Sequence, residues 1–116
     1  MPPRSWNMLL GDILERAARI ERYTRDLTFA QFAADDLRVD GVVLNFVIIG
    51  EAATRMPPEV QSRTREVPWR SLRGMRNIIV HAYFAIDLEV VWDTARNDIP
   101  KLVAALEAVM AEDNGS

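Results

Sequence analysis

Apolar residues that return every three or four positions, with prolines confined to a few places, decide what this chain can fold into. After Ser5, that spacing is followed by Trp6, Leu9, Leu10, Ile13, Leu14, Ala17 and Ile20, with Leu27 as an outlying member. Arg16, Arg19, Arg22 and Arg25 stand among acids on the other side. Serine is a strong helix cap by type, so the pattern predicts a first helix running to about Arg25. Thr28 and Gln31 have the spacing of a capping box, which predicts a short second helix carrying Phe29 and Phe32 before the acidic pair Asp35 and Asp36. Asp40 and Gly41 lead into a third helix through Val43, Phe46, Val47, Ile49, Ala52 and Ala53. Its β-branched run alone would also suit a strand. The continuation GEAATRM, with no turn residue after Gly50, favours the helix.

Pro57 and Pro58 end that element, and Val67, Pro68 and Trp69 introduce the next, because proline fits a first helical turn but not a helix interior. The linker between them has room for one short helical turn. A fourth main helix is predicted over Ser71 to about Tyr83. Asp87 is placed to cap the last helix, whose core positions include Leu88, Val91, Trp92, Ala95, Leu102, Ala105, Leu106 and Val109. Pro100 should kink or divide it near Asp98. The closing AEDNGS reads as a frayed tail over 111–116. Repeats and glycine-rich phosphate loops are absent from the sequence. The pattern is all-α, an up-and-down bundle of about five helices forming one domain over residues 1–116.

Composition narrows the function classes. The 116 residues are 49% hydrophobic and 27% charged, enough for one core. There is no cysteine and a single histidine, which excludes disulfides, thiolate metal sites and a multi-histidine metal site within one chain. The opening MPPRSW has no apolar signal core, and VVLNFVIIG is far short of the roughly 20 residues a bilayer requires. A soluble cytoplasmic protein with no membrane partner is expected. The formal net charge of -3 argues against nonspecific coating of nucleic acid. Charge is uneven, however: from Arg55 to Arg76 there are six arginines against Glu59 and Glu66. That segment is a local anion site or a solvated basic face.

The chemistry gathers in RNIIVHAYF, Arg76 to Phe84, which reads R-x4-H-x-Y. An arginine fork neutralises phosphate oxygens and the extra charge of a pentacoordinate transition state. A histidine near its ordinary pKa can take the proton of a ribose 2′-hydroxyl or protonate a leaving oxygen. Asn77 is placed to orient either group. At 100° per residue, Arg76 and His81 point roughly 140° apart on one straight helix, while Arg76 and Tyr83 share one side and Asn77 and His81 another. RNA cleavage by transesterification profits from an acid and a base, yet the chain has one group suited to that work. Both difficulties ease if two copies line a shared cleft, which predicts a symmetric homodimer. The plain alternative is a half-buried packing histidine with Tyr83 at the core edge. Glu51, in IGEAA, is an acid able to orient His81 or Arg76, or a solvent-facing glutamate.

At the level of the whole chain, the sequence resembles the HepT-like branch of the HEPN superfamily, small helical bacterial proteins encoded beside a minimal nucleotidyltransferase of the MntA type. The resemblance rests on LLGDILERAARIERYT, NFVIIGEAATRMPPEV and, above all, VPWRSLRGMRNIIVHAYFAIDLEVVWDTARNDIPKL. It implies a HEPN homodimer whose R-x4-H motif forms a metal-independent ribonuclease site at the dimer cleft, with no cofactor and RNA as substrate. Arg76 and His81 would then be the catalytic pair, with Asn77 in support. Tyr83 would accept AMP from the nucleotidyltransferase antitoxin, which silences the toxin. A noncatalytic HEPN module that binds a nucleotide or presents itself to a nucleotidyltransferase is the alternative.

Overall fold

The computed structural model describes residues 5–115, with side chains through residue 111. Among these residues every regular element is helical. Helix α1 covers Trp6–Thr24, and Ser5 caps it by accepting from the Met8 N–H. Its buried face is Leu9, Leu10, Ile13, Ala17 and Ile20, the positions the periodicity selects. The helix closes on Thr24, whose buried hydroxyl donates to the Ile20 carbonyl at 2.9 Å, and Asp26 turns the chain with φ of 63°. Aspartate is one of the few residues that tolerate this left-handed conformation. Helix α2, Phe29–Ala33, carries both hydrogen bonds of the expected capping box between Thr28 and Gln31.

Helix α3, Asp36–Arg55, starts four residues before the predicted lead-in at Asp40. The cap is Asp35, which accepts from the Arg38 N–H at 3.1 Å. Its first turn lies outside the core, with Leu37 84% exposed, so hydrophobic periodicity gave no sign of it. Arg16, placed by the pattern on the outer side of α1, instead turns inward. It donates to Oδ1 of buried Asn45, whose amide donates to the Gly41 carbonyl at 2.7 Å. The short turn expected in the linker is α4, Pro58–Arg63.

Helix α5 spans Trp69–His81, beginning and ending two residues earlier than the predicted Ser71 to Tyr83. Ala82, with φ of -134° and ψ of 35°, leaves the helical path, and Tyr83–Ala85 forms a separate 3-10 turn. Asp87 caps α6, Leu88–Asp93, as expected. Thr94–Asp98 is a π turn that leads directly into α7, Ile99–Gly115. Pro100 has no N–H to give, and the Ile99 N–H bonds back to the Thr94 carbonyl across the wider turn. The division expected near Asp98 is thus a local widening, and the helix continues through Gly115, over the stretch read as frayed. Ser116 lies outside the described residues.

Helix α3 packs between α1 and α5, and α7 returns against α1. Ile13, Ile20, Val42, Phe46, Ile49, Ile79, Leu102 and Leu106 are at most 2% exposed and form one continuous core. Phe32 joins α2 to α6 by stacking at a tilt on Trp92, centroids 5.2 Å apart. No helix is long and apolar enough to cross a membrane among the described residues.

Candidate active site

The site is set by the crossing of α3 and α5 at Gly50. A Cβ added there would collide with the Arg76 Cβ and lie 2.9 Å from both the Arg76 Cγ and the Leu72 carbonyl oxygen. Its backbone is ordinary helix, so glycine is needed for closeness and not for conformation. The close approach brings the next residue of α3, Glu51, against Arg76 of α5. Arg76 Nε donates to Glu51 Oε1 at 2.7 Å, Nη2 stands 2.6 Å from the same oxygen as an ion pair, and Nη1 donates to Asn77 Oδ1 at 3.1 Å.

Two of the five N–H donors that a guanidinium carries are thereby hydrogen-bonded, and Nη2 is held beside the carboxylate. At least one hydrogen on each of Nη1 and Nη2 is left, donors of the kind that bond the oxygens of a phosphate. The Arg76 side chain is 30% exposed, and its Cβ and Cγ lie close against Gly50. Of the three readings open to Glu51 in the sequence, the geometry supports the pairing with Arg76.

His81 is the last residue of α5 and is exposed. The core therefore does not claim it, and no hydrogen bond to its side chain is found among the described residues. Both Arg76 and His81 lie within α5, so the angular separation of roughly 140° stands. Asn77 is one turn before His81 and touches Arg76, so it borders both. Tyr83 does not share a helical side with Arg76, because the helix has ended before it. It is 53% exposed and packs edge-on against Phe84, centroids 5.4 Å apart. Phe84 itself is fully exposed, and Ile78 and Val80 of α5 are about half exposed. Gly74, one turn before Ile78, has nothing within 4 Å of its absent Cβ.

Among the described residues no group of three or more His, Cys, Asp and Glu side chains is placed to hold a metal ion. Gly50 is the contributor that the sequence reading missed. Its signal was available in its position next to an acid in the middle of an otherwise apolar helix.

The chain matches the family model described as "Ribonuclease HepT-like" over residues 13–109. A protein of Thermococcus cleftensis named "Probable ribonuclease HepT" is 38% identical over 104 residues, which is 90% of this chain and 94% of that one. A protein of Methanocaldococcus jannaschii named "Putative RNase" is 30% identical over 115 residues, 99% of this chain and 95% of the relative. No solved structure matches the chain.

Proposed function

The chain belongs to the HepT-like ribonuclease family, and from that membership we propose that it is a metal-independent endoribonuclease with a composite site between two copies. The observation that carries this reading is the state of the two motif residues. Arg76 is held by Glu51 and Asn77 with guanidinium donors to spare, and His81 stands exposed on the same helix, turned away from it.

In the proposed reaction, His81 takes the proton of a ribose 2′-hydroxyl as that oxygen attacks the adjacent phosphorus. The bond from phosphorus to the 5′-oxygen breaks, and the histidine of the second copy protonates the departing oxygen. Arg76 binds the non-bridging oxygens and stabilises the charge they gain in the transition state. The products are a 2′,3′-cyclic phosphate and a free 5′-hydroxyl. A second copy of α5 against the open side of Gly74 and the exposed Ile78, the side of the helix that also carries His81, would bring both motifs to one cleft and bury apolar surface in doing so.

The chain acts in this reading as the cytoplasmic toxin of a toxin–antitoxin pair, with an MntA-type nucleotidyltransferase as antitoxin. Tyr83 is the acceptor of AMP. Its exposure leaves the hydroxyl reachable, and an adenylyl group two residues from His81 would add bulk and negative charge where RNA must enter.

The test is cleavage of total RNA by the purified protein in chelator. The wild type should cleave, and Arg76→Ala and His81→Ala should each lose cleavage and growth inhibition while remaining dimeric by sizing. Cleavage retained by both variants would remove the assignment.

A further inference from the structure

Of the six arginines between Arg55 and Arg76, only Arg76 has been given a part. Arg65, Arg70 and Arg73 line a broad, open groove of about 480 Å³ where α4, the 64–68 connection and the start of α5 meet. Gln61, Ser62 and Ser71 complete its polar lining, which contains no carboxylate. The segment's two acids are not among the groove's lining: Glu66 lines the adjoining cavity, which shares Pro68 and Ser71 with the groove, and Glu59 lines neither. Arg73 Nη1 donates to the neutral Gln61 Oε1 at 2.8 Å. No ion pair to Arg65, Arg70 or Arg73 is found among the described residues. The larger hollow between α1 and α3, about 610 Å³, sets Asp12, Glu15 and Glu51 beside Arg16 and Arg55. Mixed charge there gives a polyanion little net attraction, so the groove at α4 and α5 is the better polyanion site.

Position on α5 ties this groove to the motif residues. Arg70 and His81 are eleven residues apart, which on an α-helix is about 20° around the axis and about 16 Å along it. They share one face, with Asn77 between them. Arg73 precedes Arg76 by one turn, about 60° away. Both lines running back from the motif residues along α5 therefore reach an arginine of the groove. The lining offers no platform for a base: Trp69 is 5% exposed, and its indole N–H is spent on the Thr64 carbonyl and hydroxyl at 3.2 and 3.0 Å. Guanidinium groups bond phosphate oxygens whatever the base, so without an aromatic stacking surface the groove favours the sugar–phosphate backbone.

We propose that the groove of Arg65, Arg70 and Arg73 is a phosphate-binding subsite that holds the backbone of single-stranded RNA on one side of the scissile bond. The inference rests on the reading of the chain as a ribonuclease, and it assigns sequence-independent affinity to residues that take no part in the chemistry.

The experiment measures binding apart from cleavage. A fluorescein-labelled oligouridylate is titrated by anisotropy with the His81→Ala protein, alone and carrying Arg65→Gln, Arg70→Gln and Arg73→Gln together. The triple variant should bind at least tenfold more weakly, and the slope of log affinity against log salt should become shallower by about 2. Lysine at the same three positions should restore most of the affinity. Glutamine at Arg19 and Arg22 of α1 and at Arg25 just after it, an equal loss of charge, should change affinity less than threefold. On the active background, the groove substitutions should raise KM and leave kcat unchanged. Wild-type affinity and salt slope in the triple variant overturn the subsite, whatever other ligand the groove is then found to hold. An equal loss from the α1 substitutions overturns it too, since net charge would then be the cause. Arginine-dependent binding by a chain that never cleaves RNA would uphold the subsite and defeat only the ribonuclease reading.

Discussion

A single carboxylate oxygen of Glu51 lies within 2.7 Å of both Nε and Nη2 of Arg76, accepting from Nε, across the crossing of α3 and α5. Both side chains keep solvent access, 43% and 30%, so the pair contributes at most about 1 kcal/mol to stability. Its importance is directional. With Nε and Nη2 held against Glu51 and Nη1 tied to Asn77, the plane of the guanidinium is fixed before any ligand arrives. Fixing a donor beforehand removes the cost of ordering it during reaction.

Glu51→Gln keeps an oxygen acceptor but lets the amide compete for only one of the two donors without charge. Cleavage at saturating RNA should fall about tenfold, roughly 1.4 kcal/mol of transition-state stabilisation. Unfolding free energy should change by less than about 1 kcal/mol. Single-turnover rates and denaturant melts on the same preparation check this. An unchanged rate would show that Arg76 is ordered by something other than Glu51.

Arg76→Lys separates charge from shape. Lysine retains the positive charge but cannot bond Glu51, Asn77 and a phosphate in one plane. The variant should be folded and nearly as inactive as Arg76→Ala, within about tenfold in kcat/KM. Near-wild-type turnover would mean that a point charge suffices, and the fork geometry would lose its significance.

Gly50→Ala should destabilise the fold by about 1–3 kcal/mol, because the added methyl meets the Arg76 stem and a backbone oxygen of α5. Gly11 provides the contrast. It lies inside α1 with nothing within 4 Å of its absent Cβ, so Gly11→Ala should be neutral or stabilise by up to about 1 kcal/mol. Thermal denaturation of the two variants side by side reads the difference.

Asp35→Ala should cost about 1 kcal/mol, since it removes the side-chain cap on the Arg38 N–H. Asp40→Ala, inside the helix and exposed, should cost less than about 0.5 kcal/mol. Equal costs would place the functional start of α3 where the sequence pattern put it.

That misplaced start shows which features were legible. Where a helix face is buried from its first turn, as at Leu9 and Leu10 of α1, apolar spacing marks the boundary. The first turn of α3 buries little and exposes Leu37, so only a capping aspartate announces it, and the stretch offers three, Asp35, Asp36 and Asp40. The motif residues stood out as candidates because their types carry chemistry wherever they sit. Their relations were less so. Glu51 is twenty-five residues from Arg76, and no spacing rule links them; the link is the missing side chain at Gly50. Tyr83 was assigned a helical direction that the chain abandons at Ala82, because the sequence has no proline or glycine there to mark the break.

Because Tyr83 sits beyond that break, exposed and bonded to nothing through its hydroxyl among the described residues, removing the hydroxyl should not disturb the site. Tyr83→Phe should keep its edge-on packing with Phe84 and cleave RNA within about threefold of wild type. Co-expression with an MntA-type nucleotidyltransferase should then separate the two. The wild type should gain the mass of an adenylyl group on the peptide containing Tyr83 and lose toxicity, whereas Tyr83→Phe should remain unmodified and toxic. The physical cause is the same exposure: a hydroxyl that no neighbour holds is free to attack an activated phosphate, and a phenyl ring in its place has no nucleophile to offer. Modification of the Phe variant on another residue would move the switch off Tyr83 while leaving the cleavage site unaffected.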